Sequence, residues 1–593
     1  MRAHQTFTEH LQARIAATPD REALILLTER GGALTPETLT YAELDGAARA
    51  LAARLRRHVR PGDRTLIATG SRRMFVTGFL ACLYAGAVAV PVAPPTGGRS
   101  HHDERVAGIV REAAAACVLT SLSEAPEVSQ LLARTGYGEV VCLPVDHAAG
   151  AVGTAGAAGP GPGSGTEEPL FAAGPDTAVY LQYTSGSTRD PRGVIVTHRS
   201  LLANQRAIAD ALGTRPGIRL GGWLPLHHDM GLVGQVLHAL WLGGTAVLLT
   251  PTAFVKRPAH WLETVSRYGL TVSGAPDFAY ELCVRRVNDA QITGLDLSGW
   301  EVAVSGGEPV HAATLEAFAA RFAPAGLRPG ALAPCYGLAE ATLLVSGTRT
   351  APAAAGRTVD AAALEAGRLT APTGPGRVVA HCGPAASADI RVVDPETRRE
   401  LPDGRIGEIW VRGDSVGPGY WARPAETAAA FDCRIEDGGS GYLRTGDLGA
   451  LADGLLYVTG RLKDVIVFAG RNLYPQDLER TVQQAGGLFG AATAFLVPAA
   501  RERFVIVQEV RPHSRYDVDL PGLVAVIQQR LTEEHQVTAG GVVLVRSGTV
   551  RRTTSGKVER AAMRRLFLRG ELNPLYQRLD ADVERLLPAG CRR

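Results

Sequence analysis

Apolar residues recur at helical spacing over 41–58, whereas 65–69 and 75–86 are almost continuously apolar, which predicts a short strand followed by a buried helix. From 178 to about 346, short apolar runs alternate with amphipathic stretches. The runs predict strands at 194–197, 222–226, 245–249, 271–273 and 302–304, and the stretches predict helices at 200–212, 232–242, 260–268, 279–287 and 312–322. Such alternation specifies α/β architecture with largely parallel, doubly wound sheets. Residues 390–393 and 406–412 look like a small β-rich module. The remaining stretch, about 130 residues, mixes strands (505–509, 541–545) with helices (523–534, 559–569), the size of a small α+β domain.

Two Ala/Gly/Pro-rich stretches interrupt the rhythm, a flexible surface segment at 148–176 and an insertion near 346–377. The glycines of 159–165 are interleaved with Pro160 and Pro162 and have no flanking strand, so they do not form a dinucleotide fingerprint. At 593 residues the chain exceeds a single core. A formal net charge of +3 points away from nucleic acid as a partner, and the composition fits a soluble enzyme. Residues 74–98 carry no charge, but Gly78, Gly86, Pro91, Pro94 and Pro95 break them, so no membrane span is expected. Arg2, His4, Glu9 and His10 leave no room for a secretory signal near the N-terminus. The eight cysteines lack metal-ligand spacing and suggest reduced thiols in a cytoplasm.

Unusual polar residues fall in loops at strand ends: 183–194, 226–229, 305–309 and 335–340. In open α/β sheets such loops share one cleft. Thr184, Ser185, Gly186, Ser187 and Thr188 supply backbone N–H and hydroxyl donors with little bulk, suited to a polyphosphate. Of 62 Lys and Arg residues only three are lysine: Lys256, Lys463 and Lys557. Two of them lie in loops, Gly460–Asp464 and Thr553–Lys557, which favours a need for a compact ammonium that guanidinium does not match over three accidental survivors of codon drift. Glu340 suits Mg²⁺ bridging phosphates, and Asp447 suits a ribose diol. Their plainer readings are a solvated helix residue and a turn aspartate. Gly413–Gly417 spells G-x-S-x-G, but Pro418 and Gly419 preclude the helix that a nucleophile elbow needs. His227 and His228 point to opposite faces of an extended segment and have no third ligand at metal spacing.

Residues 183–194, 336–340, 445–447, 460–464 and 555–557 stand in the order and spacing of the adenylate-forming superfamily, which includes acyl-CoA synthetases, luciferases and adenylation domains. Within it the chain most resembles the fatty acyl-AMP ligases, through 224–232, 335–342, 460–464, 470–477 and the insertion near 346–377. It departs from the wider superfamily at Arg189, usually Gly, and Arg192, usually Lys.

The resemblance implies a large nucleotide- and acyl-binding domain over 1–462 and a mobile C-terminal domain over 463–593, with a hinge at Lys463. It implies conversion of a fatty or related carboxylic acid and ATP to acyl-AMP and pyrophosphate, then transfer to the phosphopantetheine of a holo acyl carrier protein. Residues 184–188 would hold the phosphates, Glu340 the Mg²⁺ and Asp447 the ribose. Gly307, Glu308, Pro309, Tyr336 and Gly337 would frame the adenine, and Arg461 would join the nucleotide site. Lys557 would reach the carboxylate and α-phosphate. His228 would gate the pantetheine tunnel, although it also reads as a core histidine, and Met230, Gly231 and Leu232 would line the acyl tunnel. No carrier motif follows residue 570, so the carrier would act in trans, with Arg551, Arg552, Arg560, Arg564 and Arg565 a basic face for it or a merely solvated one. The alternatives are an acyl-CoA synthetase, an amino-acid adenylation enzyme with Asp229 as ammonium partner, and a non-catalytic scaffold on the same fold.

Overall fold

The computed structural model describes residues 5–97, 101–146, 169–183, 191–349, 356–436, 438–499, 502–511, 518–553, 556–588 and 590. A six-stranded sheet runs in the order Val141–Pro144, Cys117–Thr120, Arg64–Ala68, Val88–Val92, Ala178–Tyr183, Gly193–Thr197. Its neighbours are parallel except the last pair, an antiparallel hairpin whose connection carries the proposed phosphate loop. The uncharged stretch at 74–98 contributes most of the buried helix Arg72–Ala85 and the strand Val88–Val92. Among the described residues no helix is long and apolar enough to cross a membrane.

An eight-stranded sheet runs Leu344–Gly347, Leu332–Gly337, Val302–Ser305, Val272–Ala275, Arg219–Gly222, Thr245–Leu248, Glu22–Arg30, Ala33–Thr40. Its centre is parallel and each edge is antiparallel. The hairpin Glu22–Thr40, which periodicity did not single out, joins Thr245–Leu248 across more than two hundred residues. The strand expected at 222–226 lies instead at Arg219–Gly222. Trp223 leaves the sheet to stack on Phe254 at 4.0 Å between ring centroids, so 223–228 becomes the loop bearing the two histidines.

Four antiparallel strands, Asp389–Val393, Gly407–Arg412, Leu443–Ala452 and Leu455–Arg461, form the β-rich module. Of the predicted insertion, Ser346 and Gly347 end the sheet strand Leu344–Gly347, and the part from Gly356 on is a hairpin, Gly356–Asp360 with Gly376–Ala380, enclosing a short helix Ala361–Glu365. Val359 and Leu364 pack against Tyr457 and Tyr474, so this part is built into the molecule. The C-terminal segment is a mixed sheet, Phe489–Val497, Arg503–Val510, Gly541–Arg546, Tyr576–Leu579, with apolar clusters on both faces. Ion pairs tie insertion to C-terminal segment. Arg377 donates to Asp477 (3.0 Å) and meets Nδ1 of His535 (2.8 Å), and Arg471 donates to Glu365 and to the His535 carbonyl, each at 2.7 Å.

Candidate active site

A cavity of about 1380 Å³ opens where the carboxyl ends of both parallel sheets meet the C-terminal segment. Each wall is set by local chain chemistry. The strand Leu332–Gly337 delivers Tyr336, then passes beneath its own return, where a Cβ on Gly337 would lie 1.8 Å from the Leu343 carbonyl oxygen. Only glycine fits there. The chain then turns through Thr342 at φ 68°, ψ −57°, with Leu343 N–H donating to the Ala341 carbonyl at 2.8 Å. This is the strained hand of the γ-turn, rare for a β-branched residue. Buried Asn204 bridges it, donating to the carbonyls of Ala341 and Leu344 and accepting from Leu344 N–H, while Thr342 Oγ1 donates to Ser415 O. The outcome is a fixed position for Glu340, whose carboxylate accepts from the Tyr420 hydroxyl at 2.9 Å. Burial raises the Glu340 carboxyl above its ordinary range, against the Tyr420 hydrogen bond and the charge of Arg461.

Asp447 lines the same cavity, accepting from Tyr336 Oη at 2.8 Å and pairing with Arg461 Nε at 3.0 Å. The turn after Val302–Ser305 uses the left-handed freedom of Gly307 (φ 80°) to present Glu308 and Pro309. Glu308 accepts from the Phe278 N–H at 2.7 Å, and its burial pushes the carboxyl up to about 7.

Lys557 enters from the C-terminal segment on a loop closed by Thr553, whose N–H donates to the Lys557 carbonyl and whose hydroxyl accepts from Lys557 N–H. Gly556 packs over Phe278. Burial lowers the Lys557 amine below its ordinary range and Arg461 adds to that, whereas Asp229, Asp447 and Glu308 pull it back. The amine is therefore within electrostatic reach of three carboxylates of the large lobe.

His228 lines the cavity with Nδ1 2.7 Å from Asp229 Oδ1, which also accepts from Met230 N–H at 2.7 Å. Burial would raise Asp229, but His228, Lys557 and that N–H outweigh it and hold the carboxyl below its ordinary value. Met230 lines the cavity. Gly231 and Leu232 do not: a Cβ on Gly231 would strike the Pro225 carbonyl at 2.2 Å, and Leu232 is wholly buried in the core. Lys463 sits at the rim, where burial, Arg461 and Arg192 lower its amine. Thr184, Ser185, Gly186, Ser187 and Thr188 lie outside the described residues, as does Arg189. Arg192 follows them and stacks over the Tyr420 ring at 5.5 Å.

The site thus gathers Glu308, Tyr336, Glu340, Asp447, Arg461 and Lys557 in one cleft. Tyr420 and Phe278 escaped sequence reasoning because each acts through a partner far along the chain. Arg560, expected on a carrier-facing patch, is instead paired with Glu479 at 2.7 Å and Asp464 at 3.3 Å. Ser415 is no exposed nucleophile. It is buried, and the N–H of Gly417 donates to the Glu340 carbonyl at 2.9 Å.

Comparison with known proteins gives the same outline. Residues 11–421 match the model of the AMP-binding enzyme family, and residues 463–577 match the AMP domain of Disco-interacting protein 2-like proteins. The chain is 37% identical over 582 residues to the medium-chain-fatty-acid–[acyl-carrier-protein] ligase JamA of Moorena producens, covering 96% of each. It is 36% identical over 545 residues to the long-chain-fatty-acid–AMP ligase FadD26 of Mycobacterium bovis, covering 89% of this chain and 91% of that one. A solved structure of the fatty acyl-adenylate ligase of L. pneumophila with acyl adenylate and pyrophosphate aligns at a TM-score of 0.71 and 32% identity, over 97% of this chain and 98% of that one.

Proposed function

The chain belongs to the fatty acyl-AMP ligases of the AMP-binding enzyme family, and from that premise we propose how its own residues activate a fatty or related carboxylic acid and hand it to a carrier protein. One observation carries the reading: Lys557, borne on the C-terminal segment, lines the same cavity as Asp229, Glu308 and Asp447, whose charges act against the lowering of its amine by burial. A carboxylate oxygen of the acid attacks the α-phosphorus of ATP. The acyl–O–P bond forms, the bond to the β-phosphate breaks, and pyrophosphate leaves with the electron pair. Negative charge concentrates on the α-phosphoryl oxygens, where a preorganised ammonium from Lys557 stabilises it. Asp447 receives the ribose hydroxyls, Gly307, Glu308 and Pro309 with Tyr336 and Gly337 enclose the adenine, and Arg461 fixes Asp447 while adding positive charge. The 184–188 loop and Arg192 hold the β- and γ-phosphates.

Glu340 fits Mg²⁺. It is a buried carboxylate that accepts one hydroxyl hydrogen bond, from Tyr420. Held there, Mg²⁺ would supply charge neutralisation at the phosphates.

In the second step the sulfur of a phosphopantetheine thiol displaces AMP from the acyl carbonyl, and the thiol proton is lost to solvent. His228 gates the thiol's approach, and residues from 463 onward turn about Lys463 to admit it. The ion pairs of Arg377 and Arg471 hold the adenylating pose and favour a large carrier acting in trans over free CoA. A cytoplasmic setting is consistent with seven unpaired cysteines among the described residues. The deciding experiment is mass spectrometry of adenylates formed from a panel of carboxylic acids, followed by challenge with CoA and with holo carrier. Adenylates that discharge onto carrier and not CoA are expected. Discharge onto CoA alone would make the protein an acyl-CoA synthetase, and adenylation of amino acids alone would return Asp229 to the role of ammonium partner.

A further inference from the structure

Behind Met230 the helix changes character. Leu232–Leu237 winds as a π-helix, confirmed by His238 N–H donating to the Val233 carbonyl five residues back. Such wide turns recur at functional sites because they push side chains out of the regular stripe. Here Gly234 and Gln235 line the cavity. Gln235 lies six residues beyond Asp229 along this winding segment. The same cavity is lined in part by the apolar side chains of Ile208, Leu212 and Leu220.

Gln235 is only 4% exposed, and its Oε1 has no hydrogen-bond partner. The Nε2 end makes one long contact, 3.5 Å to the Gly274 carbonyl. Other polar groups on this part of the wall are already engaged. Ser273 Oγ donates to Gly221 O at 2.6 Å and accepts from Trp261 Nε1 at 2.8 Å. His238 is bound by Gln205 through Nδ1 and by Thr214 through Nε2. Three further atoms of the cavity wall make no hydrogen bond: Gln182 Oε1 and His227 Nε2, whose residues are joined by Gln182 Nε2 donating to the His227 carbonyl next to His228, and Tyr183 Oη one residue along the strand from Gln182. A buried amide oxygen without a donor destabilises an apolar wall unless a ligand satisfies it.

We propose that Gln235 selects an acyl chain bearing a hydroxyl group partway along its length, its Oε1 accepting the hydroxyl hydrogen. This rests on the fatty acyl-AMP ligase reading above and narrows it to hydroxylated fatty acids. The test is pyrophosphate release by the full chain with matched acids of one length, unsubstituted, hydroxylated at each successive carbon from the β position outward, or carrying a keto group there. One hydroxyl position should exceed the unsubstituted acid in kcat/KM by about tenfold, the scale of one satisfied buried acceptor. Gln235→Met, near-isosteric and apolar, should erase that preference while keeping turnover of the unsubstituted acid, with its thermal melt recorded to confirm folding. Equal preference for the keto acid would show the amide N–H facing the chain and overturn the assignment. So would turnover of unsubstituted acids with no hydroxyl preference at any position, while leaving the ligase reading intact. Absence of adenylate from every acid would overturn both.

Discussion

The hydroxyl of Tyr420 donates to the carboxylate of Glu340 across 2.9 Å, joining the β-rich module to the strained turn after Gly337. A tyrosine eighty residues away thereby aims the carboxylate proposed to carry Mg²⁺. Tyr420→Phe keeps the ring beneath Arg192 and removes only the donor. Adenylation should fall by about tenfold, the cost of one hydrogen bond to a charged group. The apparent Mg²⁺ requirement should rise with it; titration of Mg²⁺ in the pyrophosphate assay checks this, and an unchanged requirement would separate Tyr420 from the metal.

Lys557→Ala should lose acyl-AMP formation by roughly a hundredfold or more, as expected for one preorganised transition-state charge. Lys557→Arg should not restore it, because the guanidinium fork cannot replace a compact ammonium. Single-turnover measurement of acyl-AMP is the check, and near-normal rates in either variant would remove Lys557 from the chemistry.

Glu308 makes stability depend on pH. Burial raises its carboxyl from 4.5 to about 7, so between those values the folded protein binds more protons than the unfolded chain. Its contribution to stability is therefore fully present below about 4.5 and is lost as pH rises toward 7 and beyond. Glu308→Gln should flatten the fall in melting temperature across that window. In Lys557→Ala the window should move upward, because the ammonium that favours the carboxylate is gone.

Arg377→Ala, combined with Arg471→Ala, removes the bridges between insertion and C-terminal segment. Partly exposed pairs of this kind are worth about 1 kcal/mol, so the balance of poses should move by roughly fivefold. CoA should become a measurable acceptor while acyl-AMP formation persists. Lys463→Pro should act oppositely, sparing acyl-AMP and blocking transfer. Comparing the two half-reactions in each variant distinguishes a restrained hinge from a general loss of fold.

Gly337→Ala should be the most damaging single methyl in the site. Its Cβ would overlap the Leu343 carbonyl, and backbone cannot yield as a side-chain tip can. We expect destabilisation of about 3 kcal/mol and loss of adenylation. Thermal melts with and without nucleotide test it.

The sequence by itself determined the layers and most of the chemical parts. Alternating apolar runs gave parallel strands flanked by helices because both faces of such a sheet are covered. Rare lysines drew attention to Lys463 and Lys557 through composition, whereas Glu340 and Asp447 stood out only through the order and spacing of family motifs. Tertiary structure alone decided the rest. The Glu22–Thr40 hairpin joins its sheet through a contact more than two hundred residues distant, which no periodicity encodes. Met230 faces the cavity while Gly231 and Leu232 turn to the core, because helix rotation is set by what packs against it. Tyr420 reaches Glu340, Arg560 is consumed by Glu479, and Gln235 is left with an open acceptor for one common reason. Hydrogen-bond satisfaction depends on which groups the folded chain brings within about 3 Å, and sequence separation does not report that distance.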